Sequence, residues 1–146
     1  METIFSLSSF LVLPFWFLMI VLPTWKWTRR ILSSPWIIVP AAALYVALVL
    51  PGILEILPAV MNPKVSAIAA SLSTPTGATI AWVHFLAFDL FVGRWVYLDS
   101  RELGLSPWFV SPVLFFVLML GPLGFLLYAA LRLRHRQAMG QARAHA

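Results

Sequence analysis

The sequence contains no cysteine and very little charge. Charged side chains make up 10% of its 146 residues and apolar side chains 62%, whereas a soluble domain carries about 25% charged residues. Without cysteine the chain can form neither disulfides nor thiolate metal sites. So few charges cannot cover a water-exposed surface, which predicts that the apolar side chains lie against lipid.

Three long stretches lack Asp, Glu, Lys and Arg entirely, namely residues 3–25, 31–54 and 103–131. A helix needs roughly 20 apolar residues to cross the hydrocarbon core of a bilayer, and each stretch is long enough. A fourth, less hydropathic stretch covers about residues 77–98. The pattern predicts an all-α integral membrane bundle of four transmembrane helices in a single domain. The predicted spans are about 4–25, 36–57, 77–98 and 107–131, followed by an irregular basic tail at 132–146.

Proline marks the expected helix boundaries and kinks. A Ser, Thr or Asn precedes proline at Ser34-Pro35, Asn62-Pro63, Thr74-Pro75 and Ser106-Pro107. Such a pair suits a helix start, because the side-chain oxygen accepts an unpaired amide and proline at the first turn loses no hydrogen bond. Prolines within the spans, at positions 14, 40, 51 and 122, predict kinks. Between helices 2 and 3 the pattern predicts a short helix lying in the membrane interface.

The basic residues form two clusters that give conflicting predictions of orientation. The formal net charge is +5, with Lys26, Arg29 and Arg30 after the first span and four arginines in the tail. Four crossings would place these clusters on opposite sides, so the preference of Lys and Arg for the cytoplasmic side leaves the topology open. Clusters at membrane exits indicate lipid head groups as partners, and not nucleic acid. The N-terminus resembles neither a cleaved signal nor a transit peptide, which favours a bacterial inner membrane, with a thylakoid membrane as the alternative.

The third span carries the residues most suggestive of chemistry, His84, Asp89 and Arg94. Placing Asp or Arg at mid-helix in a bilayer costs about 2.5–3.5 kcal/mol on insertion scales, so such residues persist when they are paired or functional. One hypothesis is a general acid/base or ligand-orienting site, with Glu55 of the second span nearby. The alternative is a structural polar network that fixes helix register. Asp99 and Glu102, at the end of the span, are expected to be in water.

Aromatic residues accompany this polar trio. Trp82, Phe85, Phe88 and Trp95 lie on the same predicted helix; they could pack within the bundle or stack against a flat or rod-like apolar ligand. The chain lacks the clustered histidines of a di-iron site, the dinucleotide-binding glycine motif and a P-loop. We therefore expect no metal and no bound cofactor, and for an enzyme we expect proton-transfer or isomerisation chemistry.

Two blocks of the sequence resemble a known family. Trp82-Val-His-Phe-Leu-Ala-Phe-Asp-Leu-Phe-Val-Gly-Arg-Trp95, with Leu98-Asp-Ser100, is similar to the signature of the abscisic-acid-deficient-four-like membrane family. The segment Gly121-Pro-Leu-Gly-Phe-Leu-Leu-Tyr128 resembles the family's second block. The resemblance covers about residues 1–131 and fits four membrane helices.

The resemblance implies a role in xanthophyll metabolism, because plant members are required to make neoxanthin from violaxanthin. In that isomerisation an epoxide opens while a neighbouring carbon loses a proton, giving an allene. His84 or Asp89 would exchange the protons, Arg94 would hold the carboxylate or stabilise developing oxyanion charge, and aromatic residues would line a groove for the polyene. One alternative is a non-catalytic carotenoid- or lipid-binding membrane protein that assists another enzyme, and a second is a small proton-linked transporter. The expected partners are membrane lipids, an apolar ligand, and either a second copy of the chain or a carotenoid enzyme.

Overall fold

The computed structural model describes residues 1–144, which are almost entirely helical and include no β-strand. Short 3-10 turns separate some of the α-helices. In chain order the α-helices are α1 (Glu2–Ser8), α2 (Leu13–Val21), α3 (Lys26–Ser33), α4 (Val39–Val49), α5 (Ile53–Met61), α6 (Val65–Leu72), α7 (Pro75–Glu102) and α8 (Pro107–Ala144).

The described residues form four helical stretches that are long and apolar enough to cross a membrane, which confirms the predicted fold class. They are Glu2–Val21, Pro35–Met61, Pro75–Glu102 and Pro107–Gln141. The third has the lowest hydropathy of the four, as its internal charges predict. The short helix expected between helices 2 and 3 is α6, and its location in the membrane interface stays a prediction.

Proline and its neighbours set the helix boundaries as expected. Helices α7 and α8 begin at Pro75 and Pro107, and the second long stretch begins with a 3-10 turn at Pro35. At the start of α7 the Thr74 hydroxyl accepts the backbone N–H of Gly77 at 3.0 Å. This hydrogen bond satisfies one of the amides that a helix start leaves unpaired.

The long stretches also break near their internal prolines. The first is interrupted by a 3-10 turn at Ser9–Leu11 just before Pro14, and the second by a 3-10 turn at Leu50–Gly52, which contains Pro51. In α8 the backbone of Leu120 leaves helical geometry, with φ −144° and ψ 51°, two residues before Pro122. A proline inside a helix removes one hydrogen bond and crowds the preceding turn.

The break at Leu120 folds the two halves of α8 against each other. A Cβ placed on Gly124 would overlap the backbone of Val117, seven residues earlier. In an unbroken helix these positions are about 10 Å apart along the axis. The chain therefore reverses direction at Leu120, between a first half of α8 (107–119) and a second half (121–144).

The chain divides into two compact units. The first contains residues 1–14 and 35–88, and the second contains residues 15–34 and the described residues from 89 onward. Val12, Ala41 and Val83 are buried in the first unit, whereas Trp16, Tyr97 and Tyr128 are buried in the second. That the whole chain forms one transmembrane domain stays a prediction.

The prediction of an irregular tail from Arg132 is wrong for the described residues, because α8 continues to Ala144. The physical reason is that Arg132 is not a free tail residue: its guanidinium pairs with the carboxylate of Asp99 on α7. The first stretch is shorter than predicted, since α2 ends at Val21 before a turn that contains Pro23.

Gly124→Ala should destabilise the protein, because the added methyl group meets the Val117 backbone, which cannot rotate away. Overpacking of this kind costs about 1–3 kcal/mol, measurable as a lower midpoint of unfolding in detergent. Gly140→Ala is the matched control, since its Cβ would meet nothing within 4 Å. Equal midpoints for the two variants would contradict the reversal at Leu120.

Candidate functional site

His84 lies within a set of aromatic rings in the first unit. Its imidazole stacks on Phe88 with ring centroids 4.7 Å apart and an interplanar angle of 27°. The ring of Tyr45 on α4 lies 5.3 Å away, tilted by 56°, and Phe85 contacts it edge-on at 6.2 Å. The half-buried imidazole therefore lies beside one phenol group and is otherwise surrounded by apolar rings.

The predicted ligand-binding aromatics of this unit are partly exposed. Trp82 stacks on Phe5 at 5.3 Å, and its indole N–H donates to the Ser9 hydroxyl at 3.3 Å. Phe85 and Phe88 are 56% and 60% exposed. In a membrane these rings would face acyl chains or an apolar ligand, which is compatible with the predicted stacking role and does not test it.

Arg94 connects α7 to the C-terminus of α3 within the second unit. Its Nε donates to the carbonyl of Leu32 at 2.7 Å, and its Nη2 donates to the carbonyl of Ser33 at 2.8 Å. The last carbonyls of a helix have no partner within that helix, and a cation there is favoured by the helix dipole. These contacts give Arg94 a structural role, and its predicted catalytic role stays a prediction.

Asp89 packs against the break in α8, also within the second unit. A Cβ on Gly121 would overlap the Asp89 carboxylate. Only glycine lets the carboxylate approach the backbone so closely at this point. The structure therefore places Asp89 at a helix–helix contact, whereas its predicted role in proton exchange is untested.

A polar cluster that sequence reasoning missed lies near the end of α7. The Asp99 carboxylate accepts two hydrogen bonds from the Arg132 guanidinium, at 2.7 and 2.9 Å, and one from the Tyr128 hydroxyl at 2.5 Å. Trp95, a predicted ligand-binding residue, packs edge-on against Tyr128 at 5.6 Å and beneath the Arg132 guanidinium at 6.0 Å. The expectation that Asp99 is in water is wrong, since its side chain is 15% exposed and paired.

The sequence does contain a signal for this cluster. Tyr128 and Arg132 are four residues apart, as are Trp95 and Asp99, so each pair shares one helical face. Each pair combines an aromatic residue with a charged residue, and the charges of the two pairs have opposite signs. This pattern favours contact between the two helices. The signal was missed because Arg132 was assigned to the tail.

The remaining predicted site residue, Glu55, lies exposed in the first turn of α5. Among the described residues it makes no ion pair. Within the same part of the chain no group of three His, Asp or Glu side chains could hold a metal ion. The structure therefore gives Glu55 no site partner, and its role in ligand binding stays a prediction.

The two units offer different chemistry. In the first, the His84 imidazole lies beside the Tyr45 ring, and both side chains have an exchangeable proton. In the second, the Asp99 carboxylate already has three hydrogen bonds from protein groups. The first arrangement suits proton transfer, whereas the second suits a clamp between α7 and α8.

These features define a multi-pass α-helical membrane protein whose third long helix carries His84, Asp89 and Arg94. Residues 3–128 match the ABA DEFICIENT 4-like family, and the chain belongs to this family, which confirms the resemblance drawn from the sequence. The chain is 33% identical over 107 residues to Protein ABA DEFICIENT 4, chloroplastic, of Arabidopsis thaliana. The match covers 69% of this chain and 49% of the plant protein, so it spans about half of that relative's length. No solved structure matches the chain.

Asp99→Asn should lower the unfolding midpoint and speed hydrogen exchange of the backbone around Tyr128 and Arg132. The substitution removes the negative charge and leaves Arg132 partly enclosed without its counter-ion, which is the costly way to break an ion pair. Glu102→Gln is the control, because Glu102 is exposed and makes no ion pair among the described residues. If both variants exchanged alike, the cluster would not be a clamp.

Proposed function

We propose that this chain acts in carotenoid metabolism as a cofactor-free isomerase of an epoxy-carotenoid, with His84 at its reactive centre. Membership of the ABA DEFICIENT 4-like family supports the substrate class, since the plant members are tied to the conversion of violaxanthin into neoxanthin. The observation that carries the reaction type is the His84 imidazole beside Tyr45 among apolar rings. The bacterial origin expected from the sequence stays a prediction, and the similar plant protein is named as chloroplastic.

The reaction requires two proton-transfer groups and no electrons. A base removes a proton from the carbon next to the epoxide, the C–O bond of the epoxide breaks, and its oxygen takes a proton from an acid. The products are an allene and a hydroxyl group, with the same atoms as the substrate. General acid–base catalysis of this kind contributes typically 10²–10⁴-fold to rate.

His84 and Tyr45 can supply these two groups. A neutral imidazole has a nitrogen that can accept a proton, and a phenol hydroxyl can donate one. Their rings are 5.3 Å apart, so one epoxide ring end could contact both. Phe88, stacked on the imidazole, holds it in one orientation. Catalytic roles for Asp89 and Arg94 remain predictions beside this pair.

A second candidate function is binding without catalysis. Trp82, Phe85 and Phe88 expose between 37% and 60% of their surface, and such rings can stack along a polyene with no reaction. The structural contacts of Arg94 with α3 also fit a protein that holds a pigment for another enzyme. Removal of the His84 imidazole distinguishes the two functions, because it would abolish isomerisation and leave pigment binding intact.

His84→Phe separates isomerisation from binding, because phenylalanine keeps the stacked ring and removes the exchangeable proton. The protein should be expressed in bacteria engineered to accumulate violaxanthin, and the pigments measured in whole cells and on the purified protein. The wild type should yield an allenic product; His84→Phe should lose it by at least tenfold and still retain pigment.

His135→Phe is the matched control, since this histidine lies on the second half of α8 and outside the aromatic set; its product yield should equal that of the wild type. Undiminished product from His84→Phe would exclude His84 as the reactive group. Bound pigment without any product in the wild type would favour the binding function, and neither pigment nor product would reject both.

A further inference from the structure

The contacts between α7 and the second half of α8 show that these helices run in the same direction. Along α7 the contacting residues are Asp89, then Trp95, then Asp99. Their partners in α8 are Gly121, then Phe125, then Arg132. Position numbers rise together on both helices, which is the signature of a parallel pair.

The first half of α8 must therefore return along α7 before the chain reverses. A tight turn follows α7, in which the Leu105 N–H donates to the Ser100 carbonyl at 2.9 Å and Gly104 adopts φ 68°. Residues 107–119 then rise about 20 Å, which brings Leu120 back to the level of Asp89. A bilayer core is about 30 Å thick. Although α8 is long enough to cross a membrane, its first half begins, and its second half ends, near the C-terminal end of α7.

The basic helix α3 packs beside the C-terminal half of α7 within the second unit. The Tyr97 hydroxyl donates to the Pro23 carbonyl at 2.8 Å, just before α3, and Arg94 donates to the carbonyls at its C-terminus. Helix α3 buries Thr28 and Leu32 completely. Its opposite face carries the exposed side chains of Lys26, Trp27, Arg29 and Arg30.

We propose that the fourth apolar segment is a re-entrant helical hairpin, and that it brings the basic residues of α3 and of the end of α8 to one membrane face, where they bind anionic phospholipid head groups. The α8 contribution consists of Arg134 and Arg136, both exposed. This arrangement is independent of the proposed isomerase activity.

Charge and shape at this face fit a phospholipid. Lys26, Trp27 and Arg30 line a cavity of about 220 Å³, and the Arg30 guanidinium lies 5.2 Å from the Trp27 ring. Among the described residues none of these cations makes an ion pair with a carboxylate. Exposed indoles such as Trp25 and Trp27 favour the boundary between head groups and acyl chains. A site of this composition at that boundary fits a lipid phosphate better than a free anion.

A shared basic face also removes the conflict in orientation. With a re-entrant fourth segment, α3 and the end of α8 lie on the same side of the membrane. Lys and Arg then concentrate on one side, as is usual for the side facing the cytoplasm or its equivalent.

Single-cysteine labelling tests the hairpin directly, because the chain has no native cysteine. Thr24→Cys and Gln137→Cys each place one thiol at an exposed position of the second unit, to be labelled with a membrane-impermeant maleimide in sealed, uniformly oriented vesicles and again after solubilisation. Thr24→Cys and Gln137→Cys should react from the same side. Labelling of the two variants from opposite sides, as a full crossing by α8 requires, would overturn the proposal.

Lipid retention tests the head-group site. The wild type and the double variant Lys26→Gln/Arg30→Gln should be purified with phosphatidylglycerol and phosphatidylcholine in equal amounts, and the retained lipid counted by native mass spectrometry. The wild type should prefer phosphatidylglycerol, and the double variant should lose that preference at least fivefold. Lys64→Gln, an exposed cation before α6, is the control and should retain the preference.

Three outcomes would reject the site. The first is equal retention of phosphatidylglycerol by the wild type and the double variant. The second is equal loss in the Lys64→Gln control, which would indicate a general charge effect. The third is displacement of the lipid by millimolar inorganic phosphate, which would indicate a site for free anions.

Discussion

The requirement that polar groups in hydrocarbon find partners within the protein governs this structure. Water cannot satisfy them at membrane depth, so each unpaired group costs several kcal/mol. Helix α7 carries several ionisable residues, and three of them meet the requirement in different ways. Arg94 uses the free carbonyls at the end of α3, Asp99 uses Arg132 and Tyr128, and Asp89 packs at the break in α8. As a result, α7 fixes the positions of α3 and of the second half of α8.

The sequence predicted the helices well and their partners poorly. Charge-free stretches and Ser/Thr-Pro pairs located all four long helices, because hydropathy and helix starts are local properties. The pairing of Asp99 with Arg132 joins residues 33 positions apart, and no local pattern encodes that distance. The reversal within α8 depends on the backbone angles of Leu120 alone, whereas hydropathy treats residues 103–131 as one continuous stretch. The sequence therefore predicted that the basic residues after position 131 form an irregular tail.

The predicted site residues on α7 fall into two groups, those with a structural contact and one without. The burial cost of Arg94 and Asp89 has a structural explanation, since one closes the end of a helix and the other packs against Gly121. His84 differs from both, because its contacts are with aromatic rings and it makes no hydrogen bond to any group that the structure describes. A polar ring held in an apolar setting without a hydrogen-bonding partner contributes little to stability. Its retention there is more readily understood as chemistry than as architecture, which is why the proposed reaction centres on it.

The break in α8 also explains how a carboxylate can be accommodated at Asp89. The second half of α8 begins at Gly121-Pro122, and a helix start presents unpaired amides and the positive end of the helix dipole. Proline in the first turn loses no hydrogen bond, and glycine gives the carboxylate room to approach. A continuous α8 would offer neither the amides nor the space, so the same irregularity that redirects the chain supplies the environment Asp89 needs.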